Sequence, residues 1–272
     1  MDVTVFTIAG VLIGAVAGFL GGLLGIGGGV VVVPCLIILF DRMHLLSDAP
    51  DTVTLVAVGT SLGSIVFTAA AAASAQMRAN MVEWAVVRRW TIGLVIGGYV
   101  SGFVAAALPA ELLRVLIGIF LGCVAVVMLT SWHPAPHRRL PGAAGSSLIA
   151  AGAGLVSGLA GIGGGNVVVP TLVFHNVPVH RATATSSTLG FPIALAGTLG
   201  YITRGWTETS LAEGFLGYVH LPVLATLVVS SMLAAQLGVR LAHRTPAAPL
   251  RRGFGVVLAV VSMGMLASAY TG

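Results

Sequence analysis

Long apolar runs separated by short polar stretches set the pattern of this chain. Residues 53–76, 90–108, 112–132, 182–203, 221–241 and 253–270 are each close to the roughly 20 apolar residues that a helix needs to cross a ~30 Å hydrocarbon layer. Two further runs, residues 3–40 and 143–175, are too long for one straight crossing, and each contains a glycine triplet. The runs are apolar all round and do not alternate with a period of two, so they predict helices and not the strands of a transmembrane barrel. The expected fold is all-α, a polytopic membrane protein.

The two long runs share a phrase. Residues 22–34 read GLLGIGGGVVVVP and residues 158–170 read GLAGIGGGNVVVP, the same thirteen residues with two substitutions, 136 positions apart in a chain of 272. Residues 1–136 and 137–272 are therefore read as two copies of one unit, packed as one membrane domain. Each copy is expected to hold a glycine-broken helical hairpin and three transmembrane helices. A glycine in a helix interior costs about 1 kcal/mol relative to alanine, so three in succession interrupt a helix where the apolar pattern would continue it. Paired interruptions in corresponding halves of a membrane protein point to a substrate site.

Composition agrees with the bilayer as solvent: 57% of residues are hydrophobic and 8% charged, and the mean hydropathy is +1.04. The net charge of +5 comes from thirteen arginines and no lysine. These arginines flank the apolar runs, which is the positive-inside signature and not a nucleic-acid-binding patch. Arg78, Arg88 and Arg89, then Arg138 and Arg139, then Arg240, Arg244, Arg251 and Arg252 mark cytoplasmic segments. Asp41, Asp48 and Asp51 with Arg42 alone mark an external connection, as do Glu208 and Glu213 against Arg204. The 78–89 and 204–213 segments are equivalent in the two copies yet fall on opposite faces, which predicts inverted repeats with both termini outward in a cell inner (plasma) membrane. Four simple spans per copy, running parallel, is the competing count. Met1 and Asp2 lead straight into the first apolar run, so no cleavable signal is expected. Cys35 and Cys123 lie in apolar runs and read as small buried residues without a disulfide or metal role.

The triplets carry the candidate chemistry. Backbone freed from helical hydrogen bonds at membrane depth is tolerated only beside protein or a cavity, so Gly27, Gly28, Gly29, Gly163, Gly164 and Gly165 are expected at one. A helix restarting after each triplet would aim amide groups and a positive dipole end into that space, an anion site without a charged side chain. A second matched element follows each break: AVGTSL at residues 57–62 and ATSSTL at 184–189. Thr60, Ser61, Ser186, Ser187 and Thr188 could donate hydrogen bonds to a bound anion, or bond back to the preceding helical turn. Asn166 stands where the first copy has Val30 and adds a polar amide at the second break. Gln236 reads as an interhelical hydrogen-bonding residue, and His175 and His220 as boundary residues. The pairs Gly14/Gly18, Gly98/Gly102 and Gly118/Gly122 have the small-residue spacing of helix packing. No acid lies at mid-span, which argues against a buried proton relay and against a cation or metal carrier. No cofactor is expected. A different reading takes GTSLG at residues 59–63 as G-x-S-x-G, making Ser61 the nucleophile of an intramembrane serine hydrolase.

The doubled G-x-x-G-x-G-G-G phrase closing on Val-Pro, each copy followed by a TSL-like element, resembles the sulfite exporter TauE/SafE family of membrane permeases. The likeness covers nearly the whole chain. It implies transport of sulfite, of organosulfonates such as sulfoacetate, or of related sulfur oxyanions, and no enzymatic activity. The family motif falls on Gly25, Gly27, Gly28, Gly29 and Pro34, and again on Gly161, Gly163, Gly164, Gly165 and Pro170. Its second element is matched at residues 57–62 and departs to ATSSTL at 184–189. The expected partners are a small anionic solute and the lipid bilayer, with a homodimer left open and no nucleic acid.

Overall fold

A computed structural model of the chain describes residues 3–24, 28–43, 45–46, 49–130, 142–207, 214–242 and 247–271. Among these residues are ten helices. The first copy supplies α1 (Val3–Leu24), α2 (Gly29–Arg42), α3 (Val53–Arg78), α4 (Trp84–Ala107) and α5 (Ala110–Thr130). The second supplies α6 (Ala143–Leu159), α7 (Gly165–Phe174), α8 (Val179–Gly205), α9 (Leu221–Ala242) and α10 (Ala247–Thr271). Two short strands, β1 (Phe215–Leu216) and β2 (Val219–His220), pair antiparallel between α8 and α9. Both glycine-broken runs thus become a long helix followed by a short one, and the short helices begin on the last glycine of each triplet.

The copies interlock. α1 packs along α9 and α6 packs along α4, so each broken hairpin leans on a helix of the other copy. Small residues make these approaches close: Gly14 faces Ser230 and Leu227, Gly18 faces Ser231, and Gly97 faces Ala151. α3 crosses α8 running the opposite way, since Gly63 meets Thr198 while Ala69, later in α3, meets Gly190, earlier in α8. α5 and α10 are likewise antiparallel: Gly118 lies against Leu266 and Gly122 against Ser262. The Ser262 hydroxyl donates to the Gly118 carbonyl at 2.7 Å. The three small-residue pairs assigned to packing are all at helix contacts.

Polarity is arranged for an apolar solvent. Leu148 is 77% exposed, Ile92 67% and Leu233 64%, whereas Thr54, Thr60, Ser61, Ser101, Ser146, Ser157 and Thr185 are fully buried. Four described helical stretches are long and apolar enough to cross a membrane: Pro50–Arg78, Trp84–Ala107, Ala110–Thr130 and Leu221–Gly238. α8, at 27 residues, is long enough but less apolar, because it carries Thr183, Thr185, Ser186, Ser187 and Thr188 into the protein, where α3, α4 and α7 cover it.

Several details differ from the sequence reading. α4 begins six residues before its apolar run, with Arg88 and Arg89 exposed on its second turn. Cys123 is exposed and Cys35 half-buried, where both were read as buried, and both cysteines are free. Gln236 is exposed, and His175 and His220, both at helix ends, have their side chains buried in the protein. The β1–β2 hairpin, read only as part of an external loop, folds inward onto α3.

Candidate functional site

The second break is built from two left-handed glycines. α6 closes as a Schellman motif: the Ile162 N–H donates to the Ser157 carbonyl at 2.9 Å, the Gly161 N–H to the Gly158 carbonyl at 3.3 Å, and Gly161 has φ +68°. Gly164 then turns the chain at φ +83° and caps α7. A side chain in that backbone region costs roughly 1–2 kcal/mol, which accounts for glycine at both places. Val167 and Val168 donate to the Gly164 carbonyl, at 3.0 and 2.7 Å. The amides of Gly165 and Asn166 have no acceptor among the described residues, as expected for the first turn of a helix.

The first break differs. Gly28 caps α2 in the right-handed region, φ −73° and ψ −13°, and Val31 and Val32 donate to its carbonyl at 3.0 and 3.2 Å. Gly27 and Gly25, both read as motif positions, lie outside the described residues.

The two breaks touch. A methyl group added at Gly29 would sit 2.6 Å from the Gly161 carbonyl oxygen and 3.2 Å from Ile162 Cα. One side chain covers both: Ile65 of α3 would lie 2.7 Å from a methyl at Gly29 and 2.7 Å from one at Gly163. Gly190 of α8 leaves room for the Gly163 carbonyl. Ile65, Ala69 and Ala194 form a small apolar cluster of their own at this crossing.

The predicted hydroxyls divide into three groups. Ser61 donates to the Gly161 carbonyl at 2.9 Å, joining α3 to the second break, and both groups are buried. Thr60 accepts the backbone N–H of His220 at 3.0 Å. Ser187 and Thr188 bond back along α8, to the Thr183 and Ala184 carbonyls. Ser186 Oγ and Asn166 Nδ2 are buried without a partner.

Sequence reasoning missed Thr185, Trp90 and Ser157 around these groups and read His220 only as a boundary residue. Thr185 accepts the backbone N–H of Glu83 at 2.9 Å, and Glu83 also pairs with Arg181. His220 sits among Phe215, Phe40 and Phe6, with ring centroids 4.6, 6.0 and 6.3 Å away. Its Nδ1 accepts the Val223 N–H at 3.3 Å, so the neutral ring carries its proton on Nε2. Trp90 and Ser157 are fully buried with unpartnered donors. A hint for Thr185 was present in the sequence, since the matched element has Val58 at that place.

These contacts bear on the alternative chemistries. The Ser61 hydroxyl is committed to a carbonyl in mid-helix, whereas a serine nucleophile needs a base within hydrogen-bonding reach. The ring of His175 faces the Thr171 carbonyl and that of His220 the Val223 amide. Among the described residues, no three His, Cys, Asp or Glu side chains come together as a metal site. A cavity of about 470 Å³ lined by Asp51, Thr52, Glu111, Arg204 and Tyr218 opens near the hairpin, away from the breaks.

Comparison with known proteins gives a consistent answer. The profile of the family "Sulfite exporter TauE/SafE" matches residues 10–265. A "Probable membrane transporter protein" of Haemophilus influenzae is 29% identical over 96% of this chain and 98% of its own length. The "Probable membrane transporter protein MJ0441" of Methanocaldococcus jannaschii is 30% identical over 94% of each chain. The "Probable membrane transporter protein YdhB" of Bacillus subtilis is 25% identical over 94% of this chain and 96% of its own. With its apolar helices and doubled glycine breaks, the chain belongs to the sulfite exporter TauE/SafE family and is a multi-pass membrane transporter.

Proposed function

We propose that the protein is a secondary transporter of a small sulfur oxyanion or organosulfonate, sulfite or sulfoacetate-like, working by alternating access between two inverted repeats. The observation that carries this reading is the meeting of the two breaks, Gly29 against Gly161 and Ile162, with the free amides of Gly165 and Asn166 opening α7. A helix start carries roughly half a positive charge together with unpaired N–H groups, which suits a ligand whose oxygens only accept. No acid lies on α7 or α8 to compete for those donors.

In the arrangement described, Ile65 fills the space over both breaks, so a solute enters when α3 and α8 part at their crossing. Residues 1–136 and 137–272 each supply one wall. The antiparallel course of α3 and α8 and the exchanged packing of α1 on α9 and α6 on α4 support inversion of the repeats. Arg78, Arg88, Arg89 and Arg181 lie at the end where α3 finishes and α8 starts, and that end is assigned to the cytoplasm of an inner membrane, with the termini outward.

The test is ligand-dependent stability of purified protein, followed by counterflow in liposomes. Sulfite or a sulfonate should raise the melting temperature, since a ligand at 100 times its Kd stabilises by about 2.7 kcal/mol. Replacing Gly164 or Gly28 by a bulky residue should abolish both readouts while assembly persists. Stabilisation by simple cations and not by anions would transfer the site to a cation carrier. Labelling by a fluorophosphonate, lost in Ser61→Ala, would favour the hydrolase.

A further inference from the structure

Among the described residues, four buried side-chain polar atoms have no hydrogen-bond partner: Trp90 Nε1, Ser157 Oγ, Asn166 Nδ2 and Ser186 Oγ. All four are hydrogen-bond donors. They come one each from α4, α6, α7 and α8, the helices that enclose the apolar cluster of Trp90, Leu94, Val168, Leu172, Leu189 and Ile193. Leaving a buried donor unmade is costly, and four in one region call for an explanation.

Their positions along the helices form a file. Ser157 Oγ lies 3.9 Å from where a methyl group on Gly164 would be, and Asn166 is in the first turn of α7, so both belong to the second break. α4 and α8 run parallel, Gly98 facing Ile193 and Gly102 facing Gly200. Eight residues before Gly98, at ~1.5 Å per residue, Trp90 comes level with the turn of α8 that holds Ser186. Gly190, which receives the Gly163 carbonyl, is one turn beyond Ser186. Two donors therefore stand at the break, and two stand one turn nearer the Glu83–Arg181 end.

The duplication supplies an internal control. The places of Ser157, Asn166 and Ser186 are held in the first copy by Gly21, Val30 and Gly59, none with a polar side chain. The shared fold does not need these donors; they belong to one copy. None of α4, α6, α7 and α8 contains an aspartate or glutamate.

We propose that the solute is held at two successive stations: at the second break Ser157, Asn166 and the α7 amides of the second copy grip the oxyanion, and Ser186 with Trp90, the latter from α4 of the first copy, receives it on the way to the arginine-bearing face. A lining of neutral donors without an acid favours an anion, a sulfonate or sulfite, and disfavours a zwitterion whose ammonium group would be buried without a countercharge. This inference rests on the transporter reading and specifies its site.

The test uses full-length protein in which Trp84→Phe, Trp132→Phe and Trp206→Phe leave Trp90 as the sole indole, titrated with sodium sulfite, isethionate and taurine. Emission of Trp90 should shift with the first two, both should raise the melting temperature, and taurine at equal concentration should do neither. In the parent protein, Asn166→Val and Ser157→Ala should each weaken anion binding at least tenfold. Stabilisation by sulfonates with unmoved Trp90 emission and normal binding by Asn166→Val would overturn this site while leaving anion transport intact. Taurine binding as well as isethionate would overturn the selection by an acid-free lining. Absence of stabilisation by any anion would overturn both the site and the transport reading. The emission titration depends on no substitution within the site, so a misfolded site variant does not remove the test.

Discussion

The starts of α4 and α9 are equivalent junctions made from different materials. At each, the residue before the helix donates its backbone N–H to a threonine on the central helix of the other copy: Glu83 to Thr185 at 2.9 Å, His220 to Thr60 at 3.0 Å. The His220 junction is dry. Its residue is 7% exposed, three phenylalanines surround the ring, and the Tyr218 carbonyl closes over Gly59. The Glu83 junction is wet, with an ion pair whose side chains are 31% and 49% exposed, reached through a turn in which Asn80 has φ +54°. Water reaches the ion pair and the part-buried backbone bond of the second more readily than the buried bond of the first, so the two ends of the molecule should open at different cost.

The strongest way to break this comparison is to remove the room that the dry junction needs. At Gly59 any β-carbon runs into the Tyr218 carbonyl oxygen, which is backbone and cannot swing aside. Gly59→Ala should cost about 1–3 kcal/mol, the usual range for overpacking, and Gly59→Val more. Thermal unfolding in detergent measures the loss, and hydrogen exchange should show the amides of Val219 and His220 released. Hairpin amides that stay protected in a destabilised protein would mean that the hairpin is held by something other than α3.

A sharper comparison substitutes the two acceptors. Thr60→Val keeps the shape and strands the His220 N–H in a site without water, which should cost about 1–3 kcal/mol. Thr185→Val strands the Glu83 N–H in a part-buried site, where solvent makes good most of the loss, and the cost should stay under about 1 kcal/mol. Equal losses in the two melts would remove the distinction between dry and wet ends.

The sequence displayed one of these junctions better than the other, and the reason is physical. Helix breaks, spans and the small-residue pairs are local patterns, so the starts of α2 and α7 at Gly29 and Gly165 and the packing of Gly14, Gly98 and Gly118 could be read from spacing. Two-residue strands have no period to detect, so the hairpin at residues 215–220 passed as part of the connection between two apolar runs. The hydroxyl elements were visible, but their partners were not. Ser61 reaches Gly161 across 100 residues and Thr60 meets His220 across 160, while Thr188, the counterpart of Ser61, bonds only to its own helix. An indole within an apolar run reads as core, so Trp90 gave no signal until its N–H was seen buried without an acceptor.

The smallest effect concerns the ion pair of Arg181 and Glu83. Exposed pairs contribute about 0–1 kcal/mol and are screened by salt, because the Debye length is about 8 Å at physiological ionic strength and about 3 Å at 1 M. The backbone bond from Glu83 to Thr185 survives removal of the side-chain charge. Glu83→Gln combined with Arg181→Gln should therefore speed exchange of the Val86 and Val87 amides, which bond to the Glu83 carbonyl, by no more than about fivefold. In 1 M salt the same amides of the unaltered protein should already exchange at the faster rate, and the amide of His220 should respond to neither change. A gain of orders of magnitude at Val86 would show that the charges, and not the threonine, hold this end shut, and the order of the two junctions would then be reversed.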